Sequence, residues 1–236
     1  VRRLLERFRP GPELDEGLRV RISQWREAPE PDPGTPLREA RFVVVDVETT
    51  GPDAHRSELL SVGLVPVGPG GVELGGMEEI VLRWEHERID KENLVVHGIS
   101  PTESSAGLEP SEALTRVLER IGKHWLVAFR ADFDRSVLRR SLRNRLGVSL
   151  PNPFLDAAML LPALYPEDAA GLHSLDDWLG HFGIPAPARH RASADALVTA
   201  ELLLLVLARA RRVKKPDLAA LAGIGRAQSR LRRMRL

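Results

Sequence analysis

The chain has 236 residues, 43% of them hydrophobic, which suffices for one ordinary core with terminal extensions and leaves too little for a second full domain. It has no cysteine, which excludes a disulfide framework and a thiolate metal site and makes a reducing cytoplasm the expected compartment. A formal net charge of +1 hides an asymmetry: residues 1–201 carry 24 Lys/Arg against 32 Asp/Glu, whereas 202–236 carry 10 against Asp217 alone.

The first segment, VRRLLERFRPG, has Arg2 and Arg3 but no apolar stretch behind them, and the run Leu202 to Ala208 is too short to span a bilayer, so no membrane partner is expected. Residues 1–38 read as an extension: a short basic amphipathic segment, then the Pro-rich APEPDPGTP, which disfavours a long helix or a central strand. One domain is expected over 39–210, with 211–236 as a basic C-terminal extension. RFVVVDVE predicts a buried central strand, and LLSVGLVPV and the run from Gly71 to Leu82 predict its neighbours, joined by the Gly-Pro-Gly-Gly hairpin at 68–71. SEALTRVLERIG reads as a helix, HWLVAF as a short strand and FDRSVLRRSLRNRLG as a second helix. FLDAAMLLPAL and LHSLDDWLGHFGI follow as helices, and SADALVTAELLLLVLARARR as a long last helix. Order and type imply an α/β sheet.

In DVETTG the acids Asp46 and Glu48 stand two apart on a strand, so they leave the same face where the chain exits the sheet for a Thr-Thr-Gly turn. Strand ends of such sheets are where ligands bind. In VAFRADFDRSVL a strand runs into a helix, and Asp132 and Asp134 compete as a further acid: Asp132 suits a helix N-cap, while Asp134 falls in the first turn and can point back over the sheet edge. HRASAD adds His190 and Asp195. Five residues on one helix are about 140° apart, so His190 belongs to the entry segment if Asp195 is on the first or second turn. Carboxylates gathered from these segments repel one another by about 4 kcal/mol per pair at ~4 Å and an effective dielectric of 20, and so call for cations. All-oxygen ligands favour Mg²⁺ or Mn²⁺, two ions of which can serve a phosphodiester, with His190 as the base toward water.

DVETTG, FRADFD and HRASAD, in this order and at these separations, resemble the three exonuclease motifs of the DEDDh family, a group that includes the epsilon proofreading subunit of bacterial DNA polymerase III, ribonuclease T and oligoribonuclease. The resemblance covers roughly Ala40 to Arg209 and selects Asp134 over Asp132, because the family's second motif ends in Phe-Asp. It implies a ribonuclease-H-like fold, a mixed sheet flanked by helices with its first three strands antiparallel neighbours. It further implies metal binding by Asp46, Glu48, Asp134 and Asp195, and catalysis by these with His190. Thr49 and Thr50, and Val96 and His97 in VVHGIS, are implied to lie beside the terminal nucleotide. The family's His-Asn-Ala is here Phe129, Arg130 and Ala131, which removes no expected metal ligand but replaces substrate contacts, with Arg130 available to a phosphate. Phe133 stacks on a base or packs in the core. Asp156 is expected to cap a helix, and LAALAGIGRAQ faintly resembles a helix-hairpin-helix turn.

The expected activity is metal-dependent 3'-5' hydrolysis at single-stranded nucleic-acid ends, on DNA and in a proofreading manner, with a DNA polymerase as a candidate partner. The alternatives are an exoribonuclease of the oligoribonuclease type and an inactive binding or tethering module. The basic tail is expected either to add phosphate contacts or to serve as a solvated helix end or a docking surface for another protein.

Overall fold

The computed structural model describes residues 13–84, 101–186 and 189–234. Its centre is a six-stranded mixed sheet: β1 Phe42–Thr49, β2 Leu59–Gly68, β3 Gly71–Val72, β4 Glu78–Val81, β5 Trp125–Ala128 and β6 Phe154–Asp156, in the order β3-β2-β1-β5-β6 with β4 also on β2. β2 pairs antiparallel with β1, β3 and β4, while β5 and β6 continue from β1 in parallel. The expected third strand is thus divided, because the 3-10 turn Leu74–Gly76 interrupts it. β1, β5 and β6 end on the same edge of the sheet, the place where parallel strands present ligands.

Eight helices among the described residues flank the sheet: α1 Glu16–Glu27, α2 Pro101–Ala106, α3 Pro110–Ile121, α4 Asp132–Leu146, α5 Ala157–Leu164, α6 Leu175–Phe182, α7 Ala192–Arg212 and α8 Leu218–Arg233. Alternation along β1 divides the core. Val43, Val45 and Val47 point to one side, into a cluster with Leu114, Leu118, Val137 and Leu138 of α3 and α4. Phe42 and Val44 point to the other, into a cluster with Leu160, Leu202 and Val206 of α5 and α7. Asp46 and Glu48 continue this second series, which puts them on the face that α7 covers.

Three sequence expectations are corrected. FLD at 154–156 pairs with β5 as a short strand before α5 begins. α7 is not the last helix: α8 follows, running unbroken through Gly223 and Gly225, so no helix-hairpin-helix turn forms there. Asp132 does not cap α4; the N-cap is Ala131, and Asp132 lies within the first turn, paired with Arg135 at 2.5 Å.

The flanking segments pack on this body. Ile22 and Trp25 of α1 are buried, Trp25 Nε1 donates to the Gly122 carbonyl at 2.7 Å, and Arg21 bridges Glu112 and Glu119 of α3. Leu37 N–H donates to the Pro216 carbonyl at 2.8 Å. Leu218, Leu221 and Ala222 are spaced i, i+3, i+4 and bury one stripe of α8 against the α5 side of the core. Among the described residues no helix is long and apolar enough to cross a membrane.

Candidate active site

The site forms where β1 leaves the sheet. Asp46 faces Gly63 across the antiparallel pair, and Glu48 faces Ser61. Paired residues share a face, so Gly63 also points toward α7. A Cβ there would meet the Ala192 carbonyl group at 2.1 Å and the Ser193 nitrogen at 2.4 Å. The missing side chain lets the N-terminus of α7 descend onto the sheet beside Asp46, and this carries Asp195 into the site. Glu79 of β4 fastens the same end: Ser193 Oγ donates to it at 2.7 Å and Ser61 Oγ at 3.3 Å.

Ligand oxygens of Asp46, Glu48 and Asp195 lie within 4.8 Å of one another. Asp134 arrives from the opposite face. β5 pairs with β1 only as far as Val44, so the Val47 N–H lacks a strand partner on that side, and it donates to Asp134 Oδ1 at 3.1 Å. Asp134 is buried rather than turned out to solvent, and it stands beside the three gathered acids, not among them.

The electrostatics are those of an anion cluster. Burial, then the charges of Asp134, Asp195 and Glu48, push the Asp46 carboxyl well above the ordinary carboxylate range. Burial and then Asp195 raise Glu48 to about 7. Burial raises Asp134 to about 7, opposed by hydrogen bonds from its own and the Val47 backbone N–H. Such groups ionise together only beside positive charge. Arg189 supplies some: its guanidinium contacts Asp195 Oδ1 and donates to Asp176 Oδ1 at 2.7 Å. Its position on that carboxylate marks where a cation is stabilised, and the buried, all-oxygen donor set fits a hard divalent ion.

His190 occupies the turn that enters α7, with φ of +65°, and its backbone N–H donates to Asp195 Oδ2 at 3.4 Å. Its imidazole is exposed, and its field offsets part of the rise at Glu48. Thr49 Oγ1 donates to the Gly51 carbonyl at 2.7 Å, and Thr50 Oγ1 accepts from the Glu58 N–H at 2.9 Å, so both hydroxyls close the turn after β1. Arg130 is exposed with φ of +59°. Its N–H donates to Asp156 Oδ1 at 3.0 Å and its guanidinium to the His173 carbonyl at 3.1 Å. Asp156 caps α5 through the Ala158 N–H as well, as expected. Phe133 is half-buried, with one side packed against the α3/α4 core. Val96 and His97 lie outside the described residues.

Sequence reasoning missed Arg189 and Glu79. Arg189 adjoins His190, yet nothing in its spacing distinguishes it from any loop arginine, and the role of Glu79 depends on strand pairing.

A family model described as Exonuclease (RNase_T) matches residues 43–203. The DNA polymerase III PolC-type of Clostridium perfringens is 30% identical over 167 residues, 69% of this chain and 11% of that protein. The DNA polymerase III subunit epsilon-like protein of Rhodobacter capsulatus is 34% identical over 180 residues, 73% of this chain and 24% of its own length. The chain thus spans about a tenth to a quarter of these curated relatives. The subunit epsilon of Aquifex aeolicus is 29% identical over 72% of this chain and 82% of its own. Among solved structures, E. coli Exonuclease I in complex with a dT13 oligonucleotide shares the fold, with a TM-score of 0.61 at 23% identity over 74% of this chain and 42% of that one. Exonuclease X in complex with 5' overhanging duplex DNA does so with a TM-score of 0.59 at 19% identity, over 78% and 99%. Since the family match runs across β1, α4 and the first turn of α7, and so takes in every acid of the cluster, the chain belongs to the RNase_T family of exonucleases.

Proposed function

We propose that the chain hydrolyses phosphodiester bonds at the 3' ends of DNA, releasing nucleoside 5'-monophosphates, with residues 39–210 as its catalytic domain and 1–38 and 211–236 as flanking segments. The observation that carries this reading is the gathering of Asp46, Glu48 and Asp195 within 4.8 Å, beside a buried Asp134 that accepts the Val47 N–H. These four acids would hold two Mg²⁺ or Mn²⁺ ions, which when bound supply charge stabilisation for the attacking and leaving oxygens of a phosphodiester.

The protein's own residues do the rest. Burial keeps the carboxylates short of water, so their negative charge is directed at cations rather than dissipated in solvent. His190, on an exposed turn, can approach the attacking water and accept its proton, and its backbone bond to Asp195 ties that turn to the acid cluster. Arg189, whose guanidinium now contacts Asp195, would be available to the substrate phosphate where cations took its place. Arg130 before α4 and Phe133 in its first turn, with Thr49, Thr50, Val96 and His97, are the proposed contacts to the terminal nucleotides.

DNA is favoured over RNA by the DNA polymerase III names of the relatives, which also make a polymerase the proposed partner. The test is incubation of matched 5'-labelled DNA and RNA strands with Mg²⁺ or Mn²⁺ and with chelator. DNA shortened stepwise, only with metal and faster than RNA, is the expected outcome. Faster RNA shortening would replace DNA by RNA as substrate, and no shortening of either would overturn the reading.

A further inference from the structure

A groove of about 360 Å³ lies between the first turn of α4 and the outer side of α8, floored by the edge strand β6. On its α8 wall stand Arg226, Arg230 and Arg233. Their i, i+4, i+7 spacing keeps the three within about 60° of one another on the helix and spreads them over roughly 10 Å of its axis. All three are exposed, and none has an ion-pair or side-chain hydrogen-bond partner among the described residues. The acids of the groove are already engaged: Asp132 pairs with Arg135, and Asp156 accepts the Arg130 and Ala158 N–H groups. With Arg135 and Asp132 paired to each other and Asp156 hydrogen-bonded, the lining presents the three guanidiniums of α8 as its uncompensated charge.

This charge sits on a fixed support. α8 is capped by Asp217 and anchored by buried Leu218 and Leu221, so the three arginines are held in register and are not a loose tail. The surroundings matter too. Residues 1–201 are acidic and the candidate active site is a carboxylate cluster, so a polyanion needs positive charge elsewhere on the surface to be retained. The groove offers it close by. Asp132 lines the groove, and Asp134, which accepts the Val47 N–H at the acid site, stands two residues on but about 200° round α4, so a strand would wrap the first turn of that helix to pass from groove to site.

We infer that this groove holds the sugar-phosphate backbone of the substrate strand, several nucleotides from the 3' end at the acid cluster. The inference rests on the exonuclease reading of that cluster. Arginine on a rigid helix suits phosphate oxygens through its planar donor fork, and a ladder of three reads backbone without reading sequence.

The test uses the full chain with Ca²⁺ in place of the catalytic metal. Binding of a single-stranded DNA of about 20 nucleotides and of a trinucleotide is followed across a salt series, for wild type and for Arg226→Gln/Arg230→Gln/Arg233→Gln. Each phosphate neutralised contributes about −0.7 to the slope of log K against log salt, so the triple variant should flatten the slope for the long strand by roughly 2 and weaken its binding about tenfold or more at low salt. The trinucleotide, confined to the acid cluster, should bind both proteins alike. The matching triple Lys variant should retain the slope, and Arg226→Gln alone, should the triple variant misfold, should remove about 0.7 from it. Wild-type shortening of the long strand with Mn²⁺ is measured alongside. Shortening with superimposable salt slopes would overturn the groove assignment, leaving an acidic protein surface as its occupant and the exonuclease reading intact. Absence of both shortening and binding would overturn the two together.

Discussion

In the metal-free protein, replacing Glu48 with Gln should raise stability near pH 8. Glu48 is 7% exposed, and burial together with Asp195 raises its carboxyl from 4.5 to about 7. A raised carboxyl binds its proton more tightly in the folded than in the unfolded chain. The stability it contributes is complete below about 4.5 and is lost as pH climbs through about 7. At about 1.4 kcal/mol per pH unit across that window, ionised Glu48 costs roughly 3 kcal/mol. Gln preserves the shape and cannot ionise. For a chain of this size, 1 kcal/mol moves the melting temperature by about 2–4 °C, so the variant should melt about 6–12 °C above wild type near pH 8 in chelator. Near pH 5, where the folded carboxyl keeps its proton, the gap should nearly close. Thermal unfolding followed by circular dichroism at the two pH values, with chelator and with Mn²⁺, reads this directly. Mn²⁺ should stabilise wild type more than the variant. A variant less stable than wild type near pH 8 in chelator, or a gap independent of pH, would refute the claim that burial and the neighbouring acids hold Glu48 against ionisation.

His190→Ala should slow single-turnover cleavage by roughly 10² to 10⁴ while Mn²⁺ affinity, read by calorimetry, stays within a few-fold of wild type. Gly63→Ala should cost about 1–3 kcal/mol and weaken Mn²⁺ binding, because its Cβ would drive the first turn of α7, and Asp195 with it, off the sheet; unchanged unfolding and Mn²⁺ curves would contradict the close approach. Leu221→Ala should destabilise by about 2–5 kcal/mol in urea unfolding, as expected for a side chain fully buried in the α8 contact.

The part of this molecule legible in its sequence is the part governed by local pattern. Alternation and valine content mark β1, and the motif spacing brings Asp46, Glu48 and Asp195 to one edge. Asp134 could not be chosen over Asp132 by local physics, since both sit in the first turn of α4. What separates them is the unpaired Val47 N–H left where β5 stops. β6 was hidden because its three residues adjoin an apolar helix and owe their strand form to pairing with β5. α1 and α8 looked like appendages, and their burial depends on partners far along the chain, such as Gly122 for Trp25 and the α5 side of the core for Leu221. The position of Gly63 beneath α7 is likewise a long-range fact. One glycine in a strand signals a close approach without saying of what.

Cleavage from a free 3' end by the acid cluster with divalent cations is read most directly by product analysis. A single-stranded DNA labelled in its terminal 3' nucleotide is incubated with wild type and with Asp46→Asn, in Mn²⁺ and in chelator. Labelled nucleoside 5'-monophosphate should be released by wild type in Mn²⁺, should vanish in chelator, and should fall by orders of magnitude for Asp46→Asn. Internal fragments in place of the mononucleotide, or release that persists in chelator or in the Asn variant, would contradict the account.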